Sequence, residues 1–235
     1  MRKWIVFGAL GLAGFAVWLG LRGYTSAATA DPAFFEEAIA AFEQADRIEP
    51  PEPGGIVFVG SSSIRFWTGL DRDMAPLRVL NRGFGGAQFN HLLHNVHRVV
   101  TPYAPRAVVT YAGDNDLAEG TGKSAERVFS DYQRFVAEVR ERVPGARFYF
   151  LTIKPSVQRW ARWPEMSRAN AMIEAWSAGD PRLNYLDVAT PLLGEDGEPR
   201  ADLFMADGLH LNAEGYAAWA QVVQPRLLAD LGPGD

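Results

Sequence analysis

Apolar positions repeat with two different periods along this chain, and the period changes mark its elements. Phe34, Phe35, Ala38, Ile39 and Phe42 fall at helical spacing and predict an amphipathic helix from Pro32 to about Asp46, with Asp31 as its N-cap. Glu49-Pro50-Pro51-Glu52-Pro53-Gly54-Gly55 cannot continue that helix and reads as a stiff linker. Beyond it, short apolar runs alternate with helical ones. Strands are predicted at Ile56–Gly60, Arg78–Asn81, Ala107–Ala112, Arg147–Ile153 and Leu183–Val188. Helices are predicted at about Gln88–Val100, Ser124–Val143, Glu165–Ser177 and Asn212–Leu231, the last carrying Ala217, Trp219, Val222, Leu227 and Leu228. The alternation implies βαβ crossovers and a mostly parallel five-stranded sheet covered on both faces, a three-layer α/β/α domain. Sites in such folds lie at the carboxyl ends of the strands.

The first thirty residues follow another pattern. Arg2 and Lys3 precede an uncharged run from Trp4 to Leu21, roughly 27 Å long as a helix and nearly enough to cross a bilayer core. Positive charge before the run and an acidic remainder after it predict a cytoplasmic N-terminus, with residues 31–235 on the far side of the inner membrane. Residues 1–30 thus read as a signal anchor, or as a signal peptide cleaved near Ala28-Thr29-Ala30 that releases the rest to the periplasm. A buried core helix is the third reading of the run. Residues 31–54 form the first helix and linker, and 55–235 the α/β domain.

Composition narrows the chemistry. With 48% hydrophobic and 22% charged residues the chain can build a packed core, and its 23 glycines and 15 prolines follow no repeat. The absence of cysteine excludes disulfides, thiolate metal sites, a Cys nucleophile and a lipidated cysteine. A net charge of −5 offers no footprint for a polyanion, so nucleic acid is not an expected partner.

Four clusters sit where predicted strands end. Gly60-Ser61-Ser62-Ser63-Ile64-Arg65-Phe66-Trp67 places hydroxyls and backbone N–H groups at a strand-to-helix turn, although serines also serve there as plain caps. Asn81-Arg82-Gly83-Phe84-Gly85-Gly86 allows close backbone approach to a ligand, or a simple turn, and lacks the dinucleotide spacing. Ala112-Gly113-Asp114-Asn115-Asp116 offers an amide donor or an Asx-turn. In Asp207-Gly208-Leu209-His210-Leu211-Asn212 the carboxylate is three residues from the imidazole, close enough to orient it.

In this order and spacing the four clusters resemble the GDSL/SGNH family of serine ester hydrolases, over about residues 55–230. Gly60-Ser61-Ser62 is similar to the family's Gly-Asp-Ser, which implies Ser62 as nucleophile. Gly86 corresponds to the second-block glycine, Asn115 to the Asn of the Gly-x-Asn block, and Asp207 with His210 to the terminal Asp-x-x-His. Ser61 replaces the usual Asp, Asp114 fills a position commonly small or hydroxylated, and Ser61 and Ser63 stay alternative nucleophiles. The phrases around Ser62 and Asn115 look like a bacterial subgroup. The resemblance implies an acyl-Ser62 intermediate, His210 as general base oriented by Asp207, and an oxyanion held by the N–H groups of Ser62 and Gly86 and the amide of Asn115. It implies no metal or cofactor, and a small-molecule, glycan or lipid ester as substrate. Transfer of the acyl group to another alcohol, and a catalytically silent binding module, are the alternatives.

Three further signals compete. His91, His94 and His97 share a predicted helix but spread too widely for an obvious metal site. Gly122-Lys123-Ser124 ends like a P-loop, yet Leu117 stands where its first glycine belongs, and Ser124 reads as an N-cap. Lys154-Pro155-Ser156 through Arg159-Trp160-Ala161-Arg162-Trp163-Pro164 mixes cations with aromatics and is expected to line or cover the site. A histidine base predicts activity that rises with pH through about 6–7; a flat profile from pH 5 to 8 would count against it.

Overall fold

Residues 31–232 are described by the computed structural model, so the apolar run Trp4–Leu21 and the expected anchor or signal peptide lie outside the described residues. Among the described residues no helix is long and apolar enough to cross a membrane.

Five strands, β1 (Ile56–Gly60), β2 (Val79–Gly83), β3 (Ala107–Tyr111), β4 (Arg147–Leu151) and β5 (Leu183–Leu186), form one parallel sheet in the order β2-β1-β3-β4-β5. Every residue of β1 and β3 is buried, as expected of strands covered on both faces. Their side chains alternate between two cores. Val57, Val59 and Val108 face α1 (Glu36–Ile48), α4 (Phe89–Val99), α5 (Ala125–Arg142) and α6 (Trp163–Ser177). Ile56, Phe58 and Val109 face the short helices α2 (Ser62–Arg65) and α3 (Leu70–Asp73) and the long α7 (Ala213–Leu231). The chain therefore folds into the three layers read from its periodicity. Because β1 leads outward to β2 and the chain then crosses back to β3, the topological switch lies between β1 and β3, where a doubly wound sheet opens a crevice.

Several boundaries move for identifiable reasons. β2 runs to Gly83 instead of stopping at Asn81, with Gly60 paired to Gly83, so the second cluster begins inside the strand. Its polar residues are tolerated because they are satisfied locally: Asn81 Nδ2 donates to the Ile64 carbonyl at 2.7 Å, and Arg82 donates to Tyr103 Oη at 2.8 Å and pairs with Asp46. Regular helix begins at Glu36, not Pro32, because Asp31 spends its carboxylate on the N–H of Ala33 at 2.9 Å and closes a turn first. β4 and β5 stop at Leu151 and Leu186, ahead of Ile153 and Val188, where Thr152 Oγ1 accepts from the Val188 N–H at 3.0 Å and replaces the ladder. Ser124 caps α5 as read, accepting from the Arg127 N–H, and Asn212, read as the first residue of the last helix, caps α7 by accepting from the Gly215 N–H. The helical turn expected after β1 is α2, whereas α3 was not predicted.

α7 is fastened by aromatic packing. Trp219 is fully buried against Trp67, Tyr111 and Tyr216, and its Nε1 donates to the Val188 carbonyl at 3.1 Å. Trp219→Ala is expected to lower unfolding free energy by about 3–5 kcal/mol, through the cavity and the orphaned carbonyl, as read by denaturant titration.

Candidate active site

The first strand ends against its neighbours more closely than a side chain would permit. A Cβ on Gly60 would lie 2.9 Å from the carbonyl carbon of Tyr111, and one on Gly83 would lie 2.7 Å from the backbone carbon of Ile64. Gly83 thus lets α2 sit directly on the end of β2, while Gly60 lets the turn into α2 close against the end of β3. Ser61 precedes α2 in extended conformation, and its carbonyl accepts from the N–H groups of Ile64 and Arg65 at 3.0 and 3.1 Å. The turn buries Ser61 and Ser63 and leaves Ser62 half-buried at the surface of the crevice. Of the three serines, Ser62 has its Oγ on His210 Nε2, at 2.9 Å.

His210 comes from the loop before α7. That loop is tied by the Met205 N–H to the His210 carbonyl at 2.7 Å, and the Phe66 ring packs edge-on against the imidazole with centroids 4.9 Å apart. Asp207 Oδ1 accepts from the N–H groups of Leu209 and His210, while Oδ2 lies 2.6 Å from His210 Nδ1. Burial pushes the Asp207 carboxyl up, but the bonds from the His210 ring and the two N–H groups outweigh it and hold it at about 2. An ionised carboxylate on Nδ1 keeps the proton there, so Nε2 presents its lone pair to the Ser62 hydroxyl.

Two loops complete the crevice. The turn Gly83–Gly86 passes beside Ser62: a Cβ on Gly85 would lie 4.0 Å from Ser62 Cβ, and Gly86 has φ 87°, a conformation that favours glycine. Asn115 follows β3 and is stitched to this turn. Its Nδ2 donates to the Ala87 carbonyl at 3.1 Å, and its own carbonyl accepts from Gln88 Nε2 at 3.2 Å. A groove of about 610 Å³ opens alongside, walled by Phe35, Ala38, Phe42, Phe84 and Arg65.

A buried charge cluster below Asn115 was missed by sequence reasoning. Asp114 Oδ2 accepts from Lys154 Nζ at 3.1 Å and from Tyr111 Oη at 3.2 Å, Oδ1 pairs with Arg159, and Arg159 Nη2 reaches Asn115 Oδ1 at 3.1 Å. Burial alone would raise the Asp114 carboxyl; Arg159 and Lys154 reverse that and hold it well below the usual carboxylate range. Burial lowers the Lys154 ammonium, and Asp114 offsets part of that shift. The signal available was Asp114 itself, an acid where a small residue is usual, together with cations on the loop after β4. That loop also meets the His210 loop, through the Gln158 N–H to the Gly208 carbonyl at 3.0 Å.

The competing signals have structural uses. His91 is buried, with Nδ1 accepting from the Gln88 N–H at 2.9 Å, while His97 lies 3.6 Å from Glu138 on the surface. Among the described residues no three His, Asp or Glu side chains converge to hold a metal. Lys123 bonds to Asp116 at 2.8 Å and to Gln88 Oε1 at 2.7 Å, bracing the Asn115 loop. Trp160 and Trp163 stack on each other at 6.1 Å.

A five-stranded parallel sheet between helical layers, with Ser62, Asn115 and His210 gathered at the carboxyl ends of its strands, defines a three-layer α/β/α fold of the flavodoxin-like type. Residues 58–218 match the model of the GDSL-like Lipase/Acylhydrolase family, and the chain belongs to that family. Its fold is similar to a GDSL-like lipase from Bacteroides thetaiotaomicron, at 20% identity over 82% of this chain and 98% of that one, with a TM-score of 0.69. A lipase/acylhydrolase from Enterococcus faecalis superimposes with a TM-score of 0.64 at 18% identity, covering 77% and 99% of the two chains. An acetylxylan esterase from Geobacillus stearothermophilus, solved as a catalytic mutant, gives 0.60 at 14% identity over 78% and 96%. No curated protein matches the sequence.

The depressed Asp207 carboxyl has a consequence for acid stability. Its folded value lies below the ordinary unfolded one, so its contribution is present above about pH 4 and lost as pH falls towards about 2. Melting temperatures of wild type and Asp207→Asn should differ at pH 5, with wild type higher, and converge by pH 2; a gap that persists unchanged would contradict the assignment.

Proposed function

We propose that this hydrolase cleaves carboxylic esters through an acyl-Ser62 intermediate. The observation that carries the reading is the unbroken relay from Ser62 Oγ to His210 Nε2 at 2.9 Å and from His210 Nδ1 to Asp207 at 2.6 Å. His210 takes the serine proton as Oγ attacks the ester carbon, then returns it to the leaving alcohol, and Asp207 stabilises the imidazolium between the two events. The tetrahedral oxyanion is held by the backbone N–H groups of Ser62 and Gly86 and by the Asn115 amide. One such donor contributes about 3 kcal/mol in the transition state. Water then repeats the cycle on the acyl-enzyme.

The groove beside Gly85 offers an apolar wall to one part of the substrate, a small-molecule, glycan or lipid ester. If another alcohol displaces water in the second half-reaction, the same site performs O-acyl transfer. The uncharged run Trp4–Leu21 supports a location at the inner membrane, with the hydrolase domain in the periplasm, or export after cleavage.

Hydrolysis of p-nitrophenyl acetate and butyrate by wild type, Ser61→Ala, Ser62→Ala and Ser63→Ala tests the reading. Ser62→Ala should reduce kcat by at least about a thousandfold and abolish fluorophosphonate labelling, while the other two stay within about tenfold of wild type. A wild-type chain that neither hydrolyses these esters nor takes the label would instead fit a silent binding module.

A further inference from the structure

A side-chain amide has an acceptor and a donor of nearly the same shape, exchanged by a half-turn about its last torsion. One orientation of Asn115 aims N–H at an ester oxygen; the other aims a carbonyl at it and repels the charge that develops there. Arg159 discriminates between them. A guanidinium carries five donors and no acceptor, so its Nη2, 3.1 Å away, donates to Oδ1 and could make no bond to Nδ2 in its place. Nδ2 then turns to the Ala87 carbonyl at 3.1 Å with one of its N–H bonds, and on the esterase reading the second is the one that meets the substrate oxygen.

We propose that Arg159 is a positioning residue that fixes and polarises the Asn115 amide, anchored from behind by the buried Asp114–Lys154 pair. The proposal rests on the esterase reading above, from which Asn115 takes its role.

Asp114 and Asn115 are adjacent in sequence, and the planar fork of Arg159 spans both side chains, with Nη1 on the carboxylate and Nη2 on the amide. Lys154, fully buried, occupies the other carboxylate oxygen at 3.1 Å. One carboxylate is therefore shared between Lys154 and Arg159, and the guanidinium turns its Nη2 to the amide. A cation on Oδ1 draws electron density through the amide and strengthens its N–H as a donor. Lysine at 159 would keep the charge but not the fork.

The test is a double-mutant cycle on the full-length chain with p-nitrophenyl acetate as substrate. Arg159→Met should lower kcat by about 10- to 100-fold with KM within about twofold, and in an Asn115→Ala background it should change kcat by less than about twofold. Arg159→Lys, which retains a partner for Asp114, should restore the melting temperature without restoring kcat. Equal losses in the two backgrounds would overturn the proposal. A second readout does not depend on turnover: the side-chain amide proton pair of Asn115, assigned by NMR from its absence in Asn115→Ala, should move in Arg159→Met. A pair that stays in place overturns the proposal whether or not esters are hydrolysed. A pair that moves, in a chain that hydrolyses no ester and takes no serine label, overturns the esterase reading alone.

Discussion

The close seating of α2 on the ends of β1 and β2 is the constraint from which the rest of the site follows. Gly60 and Gly83 face each other across the parallel ladder, and neither position has room for a Cβ. With α2 pressed down in this way, alternate serines of the turn point inward and are buried, and the one between them faces the crevice. Which serine meets His210 is thus a matter of backbone geometry, because three adjacent residues carry the same hydroxyl. Phe84 extends the seating by donating its N–H to the Gly60 carbonyl at 2.9 Å, which brings the glycine turn alongside Ser62.

Below that seat, the protein keeps charge where apolar side chains would be easier to bury. Lys154 is fully enclosed and Asp114 nearly so. Taking two ions out of water costs several kcal/mol each, and such a pair contributes little net stability compared with a well-packed apolar substitute. Its retention is easier to understand as geometry: Tyr111, Lys154 and Arg159 converge on one carboxylate and hold the ends of β3 and β4 in a single arrangement. The second brace, Asp116 with Lys123 and Gln88, holds the same loop from the other side.

Much of this was legible in the residues. The alternation of apolar runs placed the strands and the long helices, most sharply at β1, which is buried throughout and has no polar side chain to blur it. Ser124 located the start of α5 because a cap bonds only within its own first turn. Reading broke down where side chains serve tertiary partners. Asn81 and Arg82 look like loop residues but lie in β2, since their polar groups find Ile64, Tyr103 and Asp46. Asp31 closes a turn before the helix it was expected to cap. The bonds among Asp114, Lys154 and Arg159 join residues 40 and 45 positions apart, a distance over which no local pattern carries information.

The ties of α7 add a temporal dimension. His210 lies two residues before the cap of this helix, Trp219 locks its middle into the lower core, and Tyr216 donates through its hydroxyl to the Ser63 carbonyl at 2.9 Å. The imidazole and the serine it faces are 148 residues apart in the chain. During synthesis the serine turn is made long before its partner exists, and the two meet only when α7 docks. The Ser62–His210 bond therefore cannot form while α7 is undocked, and it is made together with the closing of the lower core.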